Sequence, residues 1–208
     1  MDKEEIRGEL HKAAGLSLEL LPEQIKNLFY LLQSGFYLEA EVGCTIEDFF
    51  LSQLNLSPEY IEKRIQGIFL NGKPADHTDT AIIRDGARLT LSGTMPGLAG
   101  MSLRSGPLAV FRHGITHRET GDYSYSGKGF VQLKILSLLM EDLGPGILQK
   151  GIYIQAAALA GYLKSLPDEF WRGCIKILLD GREVPPGLFK QGDAQFVTKM
   201  VKFSVQSS

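Results

Sequence analysis

His113 and His117 stand four positions apart, with Glu119 two residues further on. On a helix that spacing puts two imidazoles on one face, which is how helical metal sites are built. Gly114 lies between them, the glutamate of an H-E-x-x-H is missing, and the segment reads as a loop. His113 and His117 are therefore the candidates for a metal, and the loop reading expects solvated histidines and no metal. Arg104, Arg112 and Arg118 flank them, and Tyr123 and Tyr125 follow. Basic residues interleaved with aromatics are what a single-stranded nucleic acid binds, but Glu119 and Asp122 dilute the charge here. Asp168 and Glu169 are adjacent, so on a helix they point about 100° apart and form no facing acid pair. They read as charges in the first turn of a helix after Pro167. Phe170 and Trp171 read as packing residues.

The two cysteines, Cys44 and Cys174, have no second cysteine near either, so there is no metal or redox spacing. Cys174 opens the apolar stretch Cys174-Ile175-Lys176-Ile177-Leu178-Leu179 and reads as a buried structural thiol. No G-x-S-x-G, Walker A or G-x-G-x-x-G occurs. No catalytic set and no cofactor are expected.

The charge balance narrows the partners. Lys and Arg number 22 against 24 Asp and Glu, a formal net charge of −2. A nucleic-acid binder would show a basic excess, and a polybasic membrane module would too. No apolar run reaches the 18 residues of a spanning helix. The start, Met1-Asp2-Lys3-Glu4-Glu5, is acidic and has no apolar core of a signal peptide. The expectation is a cytoplasmic protein with reduced thiols, whose partner is another protein, not nucleic acid and not membrane. With 208 residues and 44% hydrophobic composition, the chain can bury one large core or two small ones.

The elements that would position these residues follow from periodicity. Residues 2–14 read as a helix on Ile6, Leu10 and Ala14. Phe36 to Val42 alternates apolar and polar and reads as a strand. The run Leu28-Phe29-Tyr30-Leu31-Leu32 before it, closed by Gln33-Ser34-Gly35, predicts a hairpin with that strand. Thr45 with Asp48 three residues on resembles a capping box. Ile46, Phe49, Phe50 and Leu54 then make one apolar helix face. Ser57-Pro58 closes that helix or opens a second. Ile68-Phe69-Leu70 is a strand, Asn71-Gly72 a tight turn, Asp85-Gly86 another, and 87–92 a strand. Residues 93–129 hold eight glycines, two prolines and little periodicity, a linker. Val131 to Ile135 alternates. A polar stretch with Gly144-Pro145-Gly146 follows, then Gly151-Ile152-Tyr153-Ile154. Residues 155–165 predict a helix, Ile175–Leu179 a strand and Asp180-Gly181 a turn. The expected core is Phe36, Leu38, Phe50, Leu54, Ile68, Leu70, Leu89 and Leu91, with Leu133, Ile135, Leu159, Leu163, Ile177 and Leu179 in the second half.

The halves repeat. A shift of 109 sets Leu54 on Leu163, Pro58 on Pro167, Ile68 on Ile177, Leu70 on Leu179 and Gly72 on Gly181. Asn71 meets Asp180 and Lys73 meets Arg182. The order of elements repeats with them, so a tandem duplication of one small domain is expected, against two unrelated α+β pieces.

The order strand–strand–helix–strand–turn–strand resembles the β-grasp, or ubiquitin-like, fold. Within it the first half is similar to the sulfur-carrier branch, the small subunit of molybdopterin synthase and the thiamine-pathway sulfur carrier. Gly43-Cys44-Thr45-Ile46-Glu47-Asp48-Phe49-Phe50, Ile68-Phe69-Leu70-Asn71-Gly72-Lys73-Pro74 and Arg84-Asp85-Gly86-Ala87-Arg88-Leu89 carry the likeness, in that order. Met95-Pro96-Gly97-Leu98-Ala99-Gly100 stands where the family ends in a diglycine tail. The resemblance covers about residues 26–100 and is looser over 128–204. It implies an α+β protein of two tandem β-grasp units, each a mixed sheet with one main helix. The boundaries would be an N-terminal helical segment over 1–25, units over 26–100 and 128–208, and a linker over 101–127. Gly97, Gly100, Arg112, His113 and His117 are the candidate partner-binding residues.

A working carrier tail needs a free terminal carboxylate and two glycines thin enough to thread into a partner. Here Gly97-Leu98-Ala99-Gly100 is no diglycine, and 108 residues follow. Three functions therefore stand. The first is a non-catalytic protein-binding or scaffold protein. The second is a sulfur carrier of a molybdopterin- or thiamine-type pathway, processed after Gly100. The third is an enzyme with its site between the two units, lined by 101–127.

Overall fold

Ile25, Leu28, Leu31 and Leu32 recur at helical spacing, and in the computed structural model of the chain all four are buried in helical turns. Residues Pro22–Leu28 form a 3₁₀ turn that runs into a helix over Phe29–Ser34. The hairpin expected of 28–32 with 36–42 is therefore not formed. Burial on one side at i, i+3 and i+4 outweighs the run of apolar residues that reads as a strand. Gly35, at φ 98°, turns the chain into the strand that follows.

The structure describes residues 3–93, 126–136, 138–192 and 196–208. Their element order begins α1 (Lys3–His11), β1 (Ala14–Leu20), the 3₁₀ turn, α2 (Phe29–Ser34), β2 (Phe36–Val42) and α3 (Ile46–Asp48), which continues as a π turn over Phe49–Gln53. Next come α4 (Pro58–Arg64), β3 (Gly67–Leu70), β4 (Lys73–Pro74), β5 (Arg88–Ser92) and β6 (Gly127–Leu136). Then follow α5 (Leu139–Lys150), β7 (Ile152–Gln155), α6 (Ala156–Ser165), α7 (Asp168–Arg172) and β8 (Cys174–Leu179). The order ends β9 (Arg182–Glu183), α8 (Gly187–Lys190) and β10 (Met200–Ser207). This is an α+β protein with mixed sheets.

Several local expectations are met. Thr45 caps its helix, its hydroxyl accepting from Asp48 N–H at 3.0 Å, and Ile46, Phe49 and Phe50 are fully buried. Ser57 caps α4 the same way through Tyr60 N–H at 3.2 Å. The stretch around Gly144-Pro145-Gly146, read from the sequence only as polar, is the middle of α5. Leu139, Leu143, Ile147 and Leu148 on that helix are buried. That buried stripe holds the helix despite a proline that has no N–H for the preceding turn. β1 and β10 go beyond the sequence expectation. Of the expected core, Leu54, Ile68 and Leu179 are half-buried and the rest are buried.

Two compact units make up the chain: Tyr37–Asp142, and Met1–Phe36 with Leu143–Ser208. This division differs from the contiguous units of 26–100 and 128–208 that the sequence suggests. The expected linker over 101–127 lies outside the described residues except at its end. In the Tyr37–Asp142 unit the strand order is β4-β3-β5-β6-β2. β5 runs parallel to β6, Leu89 opposite Leu133 and Leu91 opposite Ile135, and antiparallel to β3. In the other unit the order is β7-β10-β1-β8-β9. β1 runs parallel to β10, Leu16 opposite Phe203 and Leu18 opposite Val205, and antiparallel to β8. Each unit thus takes a central strand from the opposite half of the chain.

The 109-residue shift recurs in three dimensions. Lys73–Pro74 and Arg182–Glu183 are strands of two residues, one shift apart. Asn71 and Asp180 both lie in the left-handed region, at φ 54° and 47°, and each is followed by a glycine at φ 81° and 77°. Both side chains do the same work. Asn71 Oδ1 accepts from Arg88 N–H at 2.9 Å on β5, and Asp180 Oδ1 accepts from Gly15 N–H at 2.7 Å on β1. The backbone N–H groups of Asn71 and Asp180 donate to the carbonyls of those same two partners, each at 2.7 Å. The turn therefore clamps the neighbouring central strand in both units.

Gly129 on β6 marks a close approach. A Cβ there would stand 2.6 Å from Asp85 Oδ1 and 3.0 Å from a Val42 methyl, and Asp85 Oδ1 already accepts from Phe130 N–H at 2.8 Å. Gly129→Ala should displace that carboxylate and destabilise the protein by about 1–3 kcal/mol. Phe50→Ala, which empties a fully buried site, should cost about 3–5 kcal/mol. Chemical denaturation of both variants checks these values. A Gly129→Ala variant as stable as the parent would show that the approach is not close.

Candidate functional site

The residues singled out for chemistry in the sequence, Gly97, Gly100, Arg112, His113 and His117, lie outside the described residues. Among the described residues no group of three or more His, Cys, Asp or Glu is placed to hold a metal. None of the described helices is long and apolar enough to cross a membrane.

The two thiols are unsuited to nucleophilic work. Burial raises the pKa of Cys44, and the charges of Asp48 and Glu41 add to that rise. The thiol donates to the Glu41 carbonyl at 3.3 Å and accepts from Gln53 Nε2 at 3.4 Å. Burial pushes Cys174 up to about 11. Cys174 is half-buried, not fully enclosed as the sequence suggests, because it stands at the start of β8 where the pairing with β1 is irregular. A reactive cysteine needs a lowered pKa, and neither has one.

Asp168 and Glu169 each pair with a cation on the surface, as first-turn charges. Asp168 takes Lys190 at 2.5 Å and Glu169 takes Arg172. Trp171 is buried with Phe170, their rings edge to face at 5.1 Å, and it stacks on Phe189 at 6.2 Å. Its Nε1 has no hydrogen-bond partner, which a buried indole N–H normally finds. A recess of about 550 Å³ lies beside it, between α7 and α8, bordered by Asp168, Arg172 and Lys190. With both α7 acids and both cations already paired, the rim carries little free charge for a ligand. A second recess, of about 420 Å³, opens at the first turn of α6, walled by Ala157, Ala160, Phe196 and Met200 with Lys199 beside them. Lys199 pairs with Glu5 at 3.3 Å and Glu9 at 3.8 Å, so the cation there is used in holding α1.

The Tyr37–Asp142 unit carries two arrangements that the chemical motifs do not announce. The first is a face. The inner side of this sheet buries Leu38, Ala40, Leu89, Leu91, Leu133 and Ile135. Alternation therefore turns Tyr37, Glu39 and Glu41 of β2 outward, together with Phe69 and its cross-strand neighbour Thr90 and that residue's neighbour Lys134. Tyr37 and Phe69 are half-buried, while Glu39, Glu41, Arg88 and Lys134 are exposed. Burial raises the Tyr37 phenol above its ordinary value, and the Arg88 charge pulls the other way. That opposition puts Arg88 and Tyr37 within electrostatic reach. The signal for this face was in the sequence: an aromatic at the polar phase of an alternating strand.

The second arrangement ties α4 to the start of α5. Tyr60 and Arg64 lie four apart on one helix face. Tyr60 O–H donates to Asp142 Oδ2 at 2.9 Å, and Arg64 donates to the same oxygen from Nη2 at 2.7 Å and Nε at 3.1 Å. The Arg64 hydrogen bond holds Asp142 below its usual carboxylate range, with Tyr60 and the Arg64 charge adding to it against burial. Burial, then the bond to Asp142, pushes Tyr60 up to about 12. The cluster binds two helices together and presents no open site.

No protein-family model, curated protein or solved structure matches the chain.

The Asp142 cluster has a definite pH signature. Its folded value lies below the unfolded value of roughly 3.9. Its stabilisation is therefore present above that value and lost as pH falls through the folded one. The Tyr60 contribution is present below about 10 and lost as pH rises through about 12. Asp142→Asn should lower the thermal midpoint at pH 7, and the gap to the parent should close at the acid end. A gap that stays constant from pH 7 to pH 3 would show that the carboxylate's charge is not what holds the helices.

Proposed function

We propose that the chain is a non-catalytic protein-binding or scaffold protein built from two β-grasp units. The observation that carries this is the outward face of the Tyr37–Asp142 unit. Two half-exposed aromatics, Tyr37 and Phe69, sit among Arg88, Lys134, Glu39 and Glu41, on a sheet whose regular strands hold them rigidly. Aromatics and arginine on a rigid surface, rimmed by charge, are the composition of protein-recognition patches.

The β-grasp part of the reading is supported by the helix that follows β2, the β3–β4 turn at Asn71-Gly72 and the mixed five-strand order in each unit. The recurrence of both clamped turns at the 109-residue shift supports duplication. The strand expected just before β2 is helical, and β6 stands beside β2 instead. This bears on the carrier alternative. A carrier released by a cut after Gly100 would leave β6, the strand between β5 and β2, on the other piece. Protein binding requires no such cut. The enzyme alternative rests on 101–127, residues that the described structure does not reach except at the end.

A photo-reactive amino acid in place of Phe69, in the full chain within its native cells, tests the reading. The expected result is a crosslink to one discrete protein that is lost when Tyr37→Ala and Arg88→Glu are added. The same probe at the exposed Glu183 should not give it. Equal labelling from both positions, or a product that survives Tyr37→Ala and Arg88→Glu, would overturn the assignment of this face.

A further inference from the structure

We infer that the two halves of the chain, 1–93 and 126–208, are mutually obligate in folding and stay together as one native particle when the covalent link between them is cut. The inference goes beyond the proposed function and does not depend on it.

Two strands carry the argument. β1 belongs to the first half, and it lies between β10 and β8, both from the second. Its pairing with β10 runs the whole strand, Ala14–Leu20 against Val201–Ser207, and its other edge pairs Leu16–Leu20 with Leu179–Cys174. β6 belongs to the second half, and it lies between β5 and β2, both from the first. Its pairing with β5 sets Gln132–Leu136 against Arg88–Ser92. Each half therefore gives a strand that is flanked on both sides by strands of the other half.

These are core strands, not edges. Leu16, Leu18 and Leu20 of β1 are buried, and so are Phe130, Val131, Leu133 and Ile135 of β6. The clamps cross the halves as well. Asp180 of the second half holds Gly15 of the first at 2.7 Å, and Asp85 of the first half holds Phe130 N–H of the second at 2.8 Å. A first half on its own would leave β5 and β2 with open inner edges, and a second half alone would leave β10 and β8 with theirs. Open edges over an exposed apolar face do not make a stable sheet. Exchange of an identical element between two bodies is a low-cost way to join them. Here the elements given are not equivalent, since β1 takes the place next to β8 that β5 takes next to β3, but the giving is reciprocal, and the bodies are two halves of one chain.

The test uses the full chain with a protease recognition sequence inserted after Gly106. Before cutting, the variant should melt as the parent does. After complete cutting, a denaturing gel should show two pieces, and native mass spectrometry should show one particle of their summed mass that parts only in denaturant. The pieces, unfolded and mixed, should regain the native spectrum together and not singly. Two separate folded pieces under native conditions, or recovery by either piece alone, would overturn the inference. A second variant covers an insertion that fails to fold. Leu133→Lys in β6 of the otherwise unaltered chain should raise hydrogen exchange in β5 and β2, in the first half, and leave β8 and β10 protected. Loss of protection confined to β7–β10 would overturn it equally.

Discussion

The parallel pairing at the centre of each unit is the contact on which the rest of the structure depends. In one unit β1 pairs with β10, and in the other β5 pairs with β6. Parallel neighbours cannot be joined by a tight turn and need a long connection. The chain supplies that connection by drawing the two strands of each pair from different halves. A strand in such a place is covered on both edges, so its apolar face is worth burying: Leu16, Leu18 and Leu20 in β1, Val131, Leu133 and Ile135 in β6. The loop-closure entropy of a contact this distant grows only slowly with the length of chain closed. Burial of three or more large side chains per strand outweighs it.

The tight turns then register each sheet. Asn71 and Asp180 adopt left-handed backbone that costs most residues about a kcal/mol. Each offsets this with a side-chain hydrogen bond to the adjacent central strand. The two units use the turn differently. Asn71 clamps β5, from its own half, while Asp180 clamps β1, from the other. The order of the two central strands is thus reversed between the units, although the sequences of the turns correspond residue for residue. The same local chemistry accepts either strand because the clamp uses only a backbone N–H and C=O, and reads no side chain.

The same geometry separates supporting surface from presented surface. Helices cover the inner face, where α3 with its π turn buries Ile46, Phe49 and Phe50. The Tyr60–Arg64–Asp142 cluster joins α4 to α5 through one carboxylate oxygen. In the second unit, Trp171 between Phe170 and Phe189 does comparable work under α7 and α8. The outward phase of β2, β3 and β5 is left with Tyr37, Phe69 and Arg88. Tyr37 and Phe69 are half-buried there and Arg88 is exposed.

Much of the secondary structure was legible in residue order alone. The capped helix at Thr45, the turns at Asn71-Gly72 and Asp180-Gly181, the strand over Phe36–Val42 and the helix over 155–165 rest on side-chain periodicity and on turn residues, which act within a few positions. The correspondence of the two turns at a shift of 109 was legible for the same reason. Tertiary structure decided what those rules leave open. Leu28 to Leu32 became helical and Pro145 stayed inside a helix, because both segments bury one apolar stripe against neighbours that are distant in sequence. The partners of β1 and β6 could not be read either, since an alternating strand states which face it buries and not which edges it joins. The chemical residues first singled out, His113 and His117 with Arg112, lie outside the described residues. The aromatic at the polar phase of β2 was visible in the sequence, but the sheet decided that Phe69 of β3 shares its face, with β5 and β6 between them. Spacing along a strand fixes the phase of a side chain, and only pairing across strands gathers such side chains into one surface.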